Sequence, residues 1–76
     1  MRAYMLIQTY VGQAGPVAER LRLIEGVEAA EHVSGPYDVI AVTDSEDMNA
    51  LALDTLPRVQ AVEGVTRTVT CPVVHL

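Results

Sequence analysis

The sequence predicts an α+β fold of the ferredoxin-like kind: a β-α-β-β-α-β chain with one four-stranded antiparallel sheet and two helices on one face. Three observations predict it. Stretches of strand character and stretches of helical period follow one another in that order. Ile24-Glu25-Gly26-Val27 returns as Val62-Glu63-Gly64-Val65, half of the 76-residue chain later, so each half reads as strand, helix, strand. The length itself is that of a single small domain, and residues 1–76 are read as one.

Ala3 to Val11 is rich in β-formers and almost continuously apolar, as befits a strand covered on both faces. One face carries Met5, Ile7, Thr9 and Val11, the other Tyr4, Leu6, Gln8 and Tyr10. Gly12 to Gly15 reads as loop, and Pro16 suits the first position of a helix. Val17, Leu21 and Ile24 then recur at helical spacing, with Glu19, Arg20 and Arg22 facing out. Gly26 stops that helix. Val27 to Val33 is the second strand and Asp38 to Thr43 the third. Ser45 is placed to cap the second helix, with Glu46 and Asp47 at the positive end of its dipole. Met48, Leu51, Ala52, Leu56 and Val59 make its buried stripe, and Pro57 should kink it or start its last turns afresh. Glu63-Gly64 ends it, and Val65 to Val74 is the last strand.

A chain this short hides only about 60% of its unfolded surface on folding, so one core is marginal. Disulfides, a metal or oligomerisation usually make up the difference. Cys71 is the only cysteine, which excludes an internal disulfide and is compatible with a reducing cytoplasm. Besides Cys71 there are only His32 and His75, without paired-ligand spacing, so no metal and no cofactor is expected. Oligomerisation remains. By alternation the uncovered sheet face should carry Tyr4, Leu6, Gln8, Tyr10, Ala30, His32, Ile40, Val42, Thr66, Thr68, Thr70 and Val74. That mixture is too apolar for water and too polar for a monomer core, and a second copy packed sheet to sheet would cover it.

The charge excludes other roles. Five arginines and no lysine leave a net charge of −5, which repels phosphate and disfavours direct nucleic-acid binding. No apolar run approaches the roughly 18 residues of a membrane span, and no secretory signal is visible. A soluble, cytoplasmic module is expected. No catalytic constellation stands out either. His32 and Asp38 flank a turn with no nucleophile beside them, and His32 reads as a polar residue on the open sheet face. His75 reads as a strand-terminal residue, and Cys71 as a small buried hydrophobe at an inward position.

Two stretches have both a structural and a functional reading. Thr66, Thr68 and Thr70 are good β-formers, and their hydroxyls could also bond a small polar ligand. Gly35-Pro36-Tyr37-Asp38 makes a hairpin turn in which glycine supplies positive φ and Asp38 bonds backbone amides. The same four residues suit a small zwitterion. Glycine admits a ligand to backbone N–H groups that can receive a carboxylate, Asp38 takes an ammonium, and Tyr37 walls the site.

With Gly35-Pro36-Tyr37-Asp38 running into an apolar strand, and Gly64-Val65-Thr66-Arg67-Thr68-Val69-Thr70 near the end, the whole chain resembles the effector-binding (RAM) domain of the Lrp/AsnC, or feast/famine, regulators. The resemblance implies a dimer of packed sheets, with four dimers assembling into an eight-subunit ring. It implies an amino acid or related small effector bound near the turn before the third strand, at contacts between dimers. Carried over by position, Gly35, Tyr37 and Asp38 form the effector-site turn, and Thr68 and Thr70 complete the pocket. Typical members carry an N-terminal DNA-binding helix-turn-helix, whereas this sequence starts on the first strand. The expectation is therefore a sensor module that works through oligomers or through full-length partner regulators, not an enzyme. Two rival readings are a cofactor-free dimeric monooxygenase or isomerase of the same fold, and an assembly partner that binds no ligand.

Overall fold

Residues 1–75 are described in the structure, a computed structural model. The chain runs β1 (Arg2–Thr9), α1 (Ala14–Leu21), β2 (Val27–His32) and β3 (Val39–Asp44). A segmented helix follows, made of α2 (Met48–Ala50), a π-helical stretch (Leu51–Thr55) and α3 (Leu56–Gln60), before β4 (Val65–Pro72). All strand pairs are antiparallel and the sheet order is β2-β3-β1-β4. This is the expected βαββαβ ferredoxin-like fold.

The two inner strands read as their alternation predicts. Ala3, Met5 and Ile7 of β1 and Val39, Ala41 and Thr43 of β3 are fully buried beneath the helices. Val17, Ala18 and Leu21 of α1, with Leu51 and Val59 of the second helix, close over them. Each fully buried aliphatic side chain contributes on the order of 1.5–3 kcal/mol, so this small layer is what holds the sheet to its helices.

The helix ends differ from expectation. α1 starts at Ala14, which makes Pro16 its third residue, a place where the missing N–H still has no intrahelical acceptor to lose. The second helix is capped by Asp47, whose carboxylate accepts from the Ala50 N–H at 2.8 Å. Ser45 instead shares a 3.0 Å hydrogen bond with the Thr55 hydroxyl. The buried stripe is Leu51, Thr55 and Val59, with Leu56 half-buried, while Met48 and Ala52 lie exposed. Pro57 accounts for the shift. Lacking an N–H, it cannot continue the α pattern, and its ring crowds the carbonyl four residues back. The chain widens just before it: the Leu56 N–H bonds Leu51 O, five residues back, and α3 starts afresh.

The internal repeat is real in three dimensions. Gly26 and Gly64 have φ of 94° and 101°, and Val27 N–H to Ile24 O (3.0 Å) matches Val65 N–H to Val62 O (3.1 Å). At Gly64 a Cβ would also lie 2.8 Å from Val17 Cγ2, so only glycine fits there. Both strands that follow these turns then break register at the same place. β2 skips between Val27 and Ala29, and β4 skips opposite Gln8 and Thr9, between Val65 and Arg67. Such a bulge turns every later side chain to the other face.

That overturns part of the expected open face. Ala30 pairs with Ala41 and is fully buried beneath the helices, and His32 pairs with buried Val39 at the edge of the same side. Thr68 and Thr70 pair with buried Ile7 and Met5, so they too face the helix layer. Cys71, expected inward, is exposed beside Tyr4. The open face is therefore Tyr4, Leu6 and Gln8 flanked by Ile40 and Val42 on one side and Arg67, Val69 and Cys71 on the other.

Candidate functional site

The turn joining β2 to β3 is stitched to β1 by backbone and side chain together. Val33 N–H donates to Asp38 O at 2.9 Å, and Asp38 N–H donates to Ile7 O at 2.9 Å. The Thr9 N–H, left without a regular partner by the break at Gln8/Thr9, donates to Asp38 Oδ2 at 2.8 Å. The Gln8 side chain adds a 3.3 Å bond to Pro36 O on the open face. Asp38 thus has a structural task that occupies one carboxylate oxygen.

Beside it lies a cleft of about 310 Å³. Its walls are Thr9, Tyr10, Val11 and Gly12 from the β1–α1 turn, Ala14 and Gly15 from the start of α1, His32 from the end of β2, and Asp38. This volume sits at the bottom of the range of roughly 300–1,000 Å³ typical of ligand pockets, so the cleft suits a small molecule. Its lining mixes polar and apolar groups, Asp38 and His32 with Tyr10, Val11 and Ala14.

Of the five residues predicted for an effector site, Asp38 alone lines this cleft. Gly35 is exposed at the turn with φ 153°, and Tyr37 is half-buried in the same turn. Thr68 accepts a 3.3 Å bond from Gln60 Nε2, and neither it nor Thr70 reaches the cleft. His32, Gly12 and Gly15 were not anticipated as site residues. His32 was legible as flanking the same turn as Asp38, but the β2 bulge that brings it to the helix-covered side was not.

A second crevice, of about 260 Å³, lies at the equivalent β3–α2 turn. It is lined by Glu25, Gly26, Asp44, Ser45, Glu46, Ala50, Asp54 and Thr55. Several of these groups already have partners: Ser45 and Thr55 bond each other, and Asp54 pairs with Arg58 at 3.1 Å. Among the described residues, no group of three or more His, Cys, Asp or Glu side chains comes together to hold a metal ion. No described helix is long and apolar enough to cross a membrane.

Comparison with known proteins points one way. A family model described as the Lrp/AsnC ligand binding domain matches residues 2–75. No curated protein matches the chain. Among solved structures, TTHA0845 from Thermus thermophilus is similar with a TM-score of 0.89 and 25% identity, over 99% of this chain and 94% of that one. The hypothetical protein PHS023 from Pyrococcus horikoshii is similar with a TM-score of 0.85 and 23% identity, over 97% and 90%. E. coli AsnC shares the fold, with a TM-score of 0.87 at 16% identity, over 99% of this chain and 51% of AsnC. This chain therefore spans about half the length of AsnC.

Proposed function

The chain belongs to the Lrp/AsnC ligand-binding domain family, and from that premise we propose that it is an amino-acid-sensing module that acts as a homo-oligomer and modulates transcriptional regulation. The observation that carries this reading is Asp38. Its turn carries the family-like Gly35-Pro36-Tyr37-Asp38 motif, and its carboxylate, with one oxygen bound to Thr9 N–H, borders a cleft of amino-acid size. A carboxylate held in place by the fold is prepared to receive an ammonium group without further ordering, which lowers the cost of binding. Tyr37 and Gly35 shape the turn around it, and Thr68 and Thr70, on the helix-covered side of β4, are the proposed residues that complete the site.

Oligomerisation follows from the open sheet face. Leu6, Ile40, Val42 and Val69 are half-buried there in the single chain, and Tyr4 is 42% exposed beside them. A second sheet packed on this patch would remove it from water. Full-length Lrp/AsnC-type regulators, with which such a module would co-assemble in the cytoplasm, are the proposed partners, and the net charge of −5 places any nucleic-acid contact on them.

A thermal-shift screen against the twenty amino acids at millimolar concentration tests the reading. An amino acid at about 100 times its Kd adds roughly 2.7 kcal/mol of stability. In a chain this small that raises the melting temperature by several degrees or more. A selective shift that disappears in Asp38→Ala, with the oligomer intact by light scattering, supports the proposal. A shift that survives Asp38→Ala removes the ammonium contact from it.

A further inference from the structure

We propose that Arg67 and Glu31 form the charge pair that selects which chain docks on the open sheet face and in which orientation, the Arg67 of each copy meeting the partner's Glu31. This rests on the reading of the chain as a homo-oligomer packed through that face, and adds what makes the packing selective.

Four of the five arginines are engaged within the chain. Arg20 Nη1 donates to Glu63 O and Arg22 Nε to Ala30 O, both at 2.9 Å. Arg58 pairs with Asp54 at 3.1 Å, and Arg2 with Glu28 at 3.3 Å. Among the described residues Arg67 has no such partner. It is exposed on the open face, opposite Gln8 of β1. Glu31 is its counterpart on the far edge strand. Pairing with Ile40 brings Glu31 to the same face, where it is exposed and, among the described residues, also without an ion pair. The half-buried Ile40, Leu6 and Val69 lie between the two edges. The apolar patch thus carries a base on one border and an acid on the other. Four strands spaced at about 4.8 Å keep those borders roughly 14 Å apart, too far for an ion pair within one chain.

A second sheet laid on the patch takes both charges out of water, and a charge buried without a partner is strongly destabilising. A two-fold contact between like faces has two simple orientations. With the axis across the strands, β2 lies over β2 and β4 over β4, so acid faces acid and base faces base. With the axis along the strands, β2 lies over the partner's β4, and opposite charges meet twice. Arg67 then stands one same-face pair beyond the partner's Glu31, about 7 Å along the strand, an offset that the long arginine side chain spans. Complementarity of this kind sets register and rejects wrong partners more than it adds affinity. The same rule applies to any other chain: to dock here it must set an acid against Arg67 and a base against Glu31.

The test is a charge swap read by light scattering and native mass spectrometry. The wild type should be an oligomer. Arg67→Glu alone and Glu31→Arg alone each put like charges together at both contacts, and each should weaken self-association at least tenfold. Mixed in equal amounts, the two variants should assemble with wild-type strength, because opposite charges then meet at both contacts. The double variant should self-associate as the wild type does, yet exchange no subunits with it. Should a single variant fail to fold by circular dichroism, the double variant decides alone. Single variants that associate like the wild type, a mixture that stays apart, or a double variant that exchanges freely with the wild type would overturn the inference while leaving the homo-oligomer intact. A monomeric wild type would overturn both.

Discussion

The two βα turns hold equivalent places in the two halves of the chain and are finished in opposite ways. The β3–α2 turn satisfies itself. Asp47 caps the first turn of its helix, Ser45 bonds Thr55, and its crevice is ringed by Glu25, Asp44, Glu46 and Asp54. The β1–α1 turn is left unfinished: Gln13 makes no side-chain cap, Gly15 presents no side chain, and its cleft combines one acid, one histidine and an apolar wall. Groups already bonded within the fold have little left to offer a ligand, and a ring of carboxylates repels an anionic one. The unfinished turn is therefore the one with chemistry to spare.

The largest expected effect tests the equivalence of the halves. Gly64→Ala adds left-handed backbone strain to a 2.8 Å clash with Val17 Cγ2, and should cost roughly 2–4 kcal/mol in urea unfolding. Gly26→Ala, with its nearest neighbour Asp44 O at 3.3 Å, should cost less. Equal losses would mean that backbone strain alone governs both turns.

Next comes Asp38→Ala, which strands the Thr9 N–H and should destabilise by about 1–3 kcal/mol while abolishing the amino-acid shift. Asp38→Asn keeps an acceptor for Thr9, so it should recover much of the stability but not the binding. On the finished turn, Asp47→Ala removes the cap and should cost about 1 kcal/mol with the amino-acid shift unchanged. A binding defect there would break the contrast between the turns.

The inner strands show how much of the fold was legible. Met5, Ile7, Val39 and Ala41 alternate with Leu6, Ile40 and Val42 without interruption, and period-two reading assigns both faces correctly. The edge strands defeat it, because one skipped residue after Val27 and another after Val65 turn Ala30, His32, Thr68 and Thr70 to the opposite side. A bulge leaves no mark in hydrophobic pattern when the strand is as mixed as Glu28 to His32 or Thr66 to Thr70. The repeat of Glu-Gly-Val was visible, but that the two bulges would repeat with it was not. For the site, the turn motif pointed to Asp38, which does border the cleft. His32 and Gly15 reach it through tertiary placement, one carried by the bulge and the other by the close return of α1 to β1.

The central claim is that ligand binding belongs to the unfinished turn. The most direct measurement is a ¹H–¹⁵N correlation spectrum of the labelled protein, titrated with each of the twenty L-amino acids. Saturable shifts are expected for at least one amino acid, clustered on the amides of Thr9 to Gly15, His32 and Asp38, with Asp44 to Ala50 unmoved. Shifts centred on Gly35, Tyr37, Thr68 and Thr70 without Gly12 and Gly15, or no shifts with any of the twenty, would contradict it.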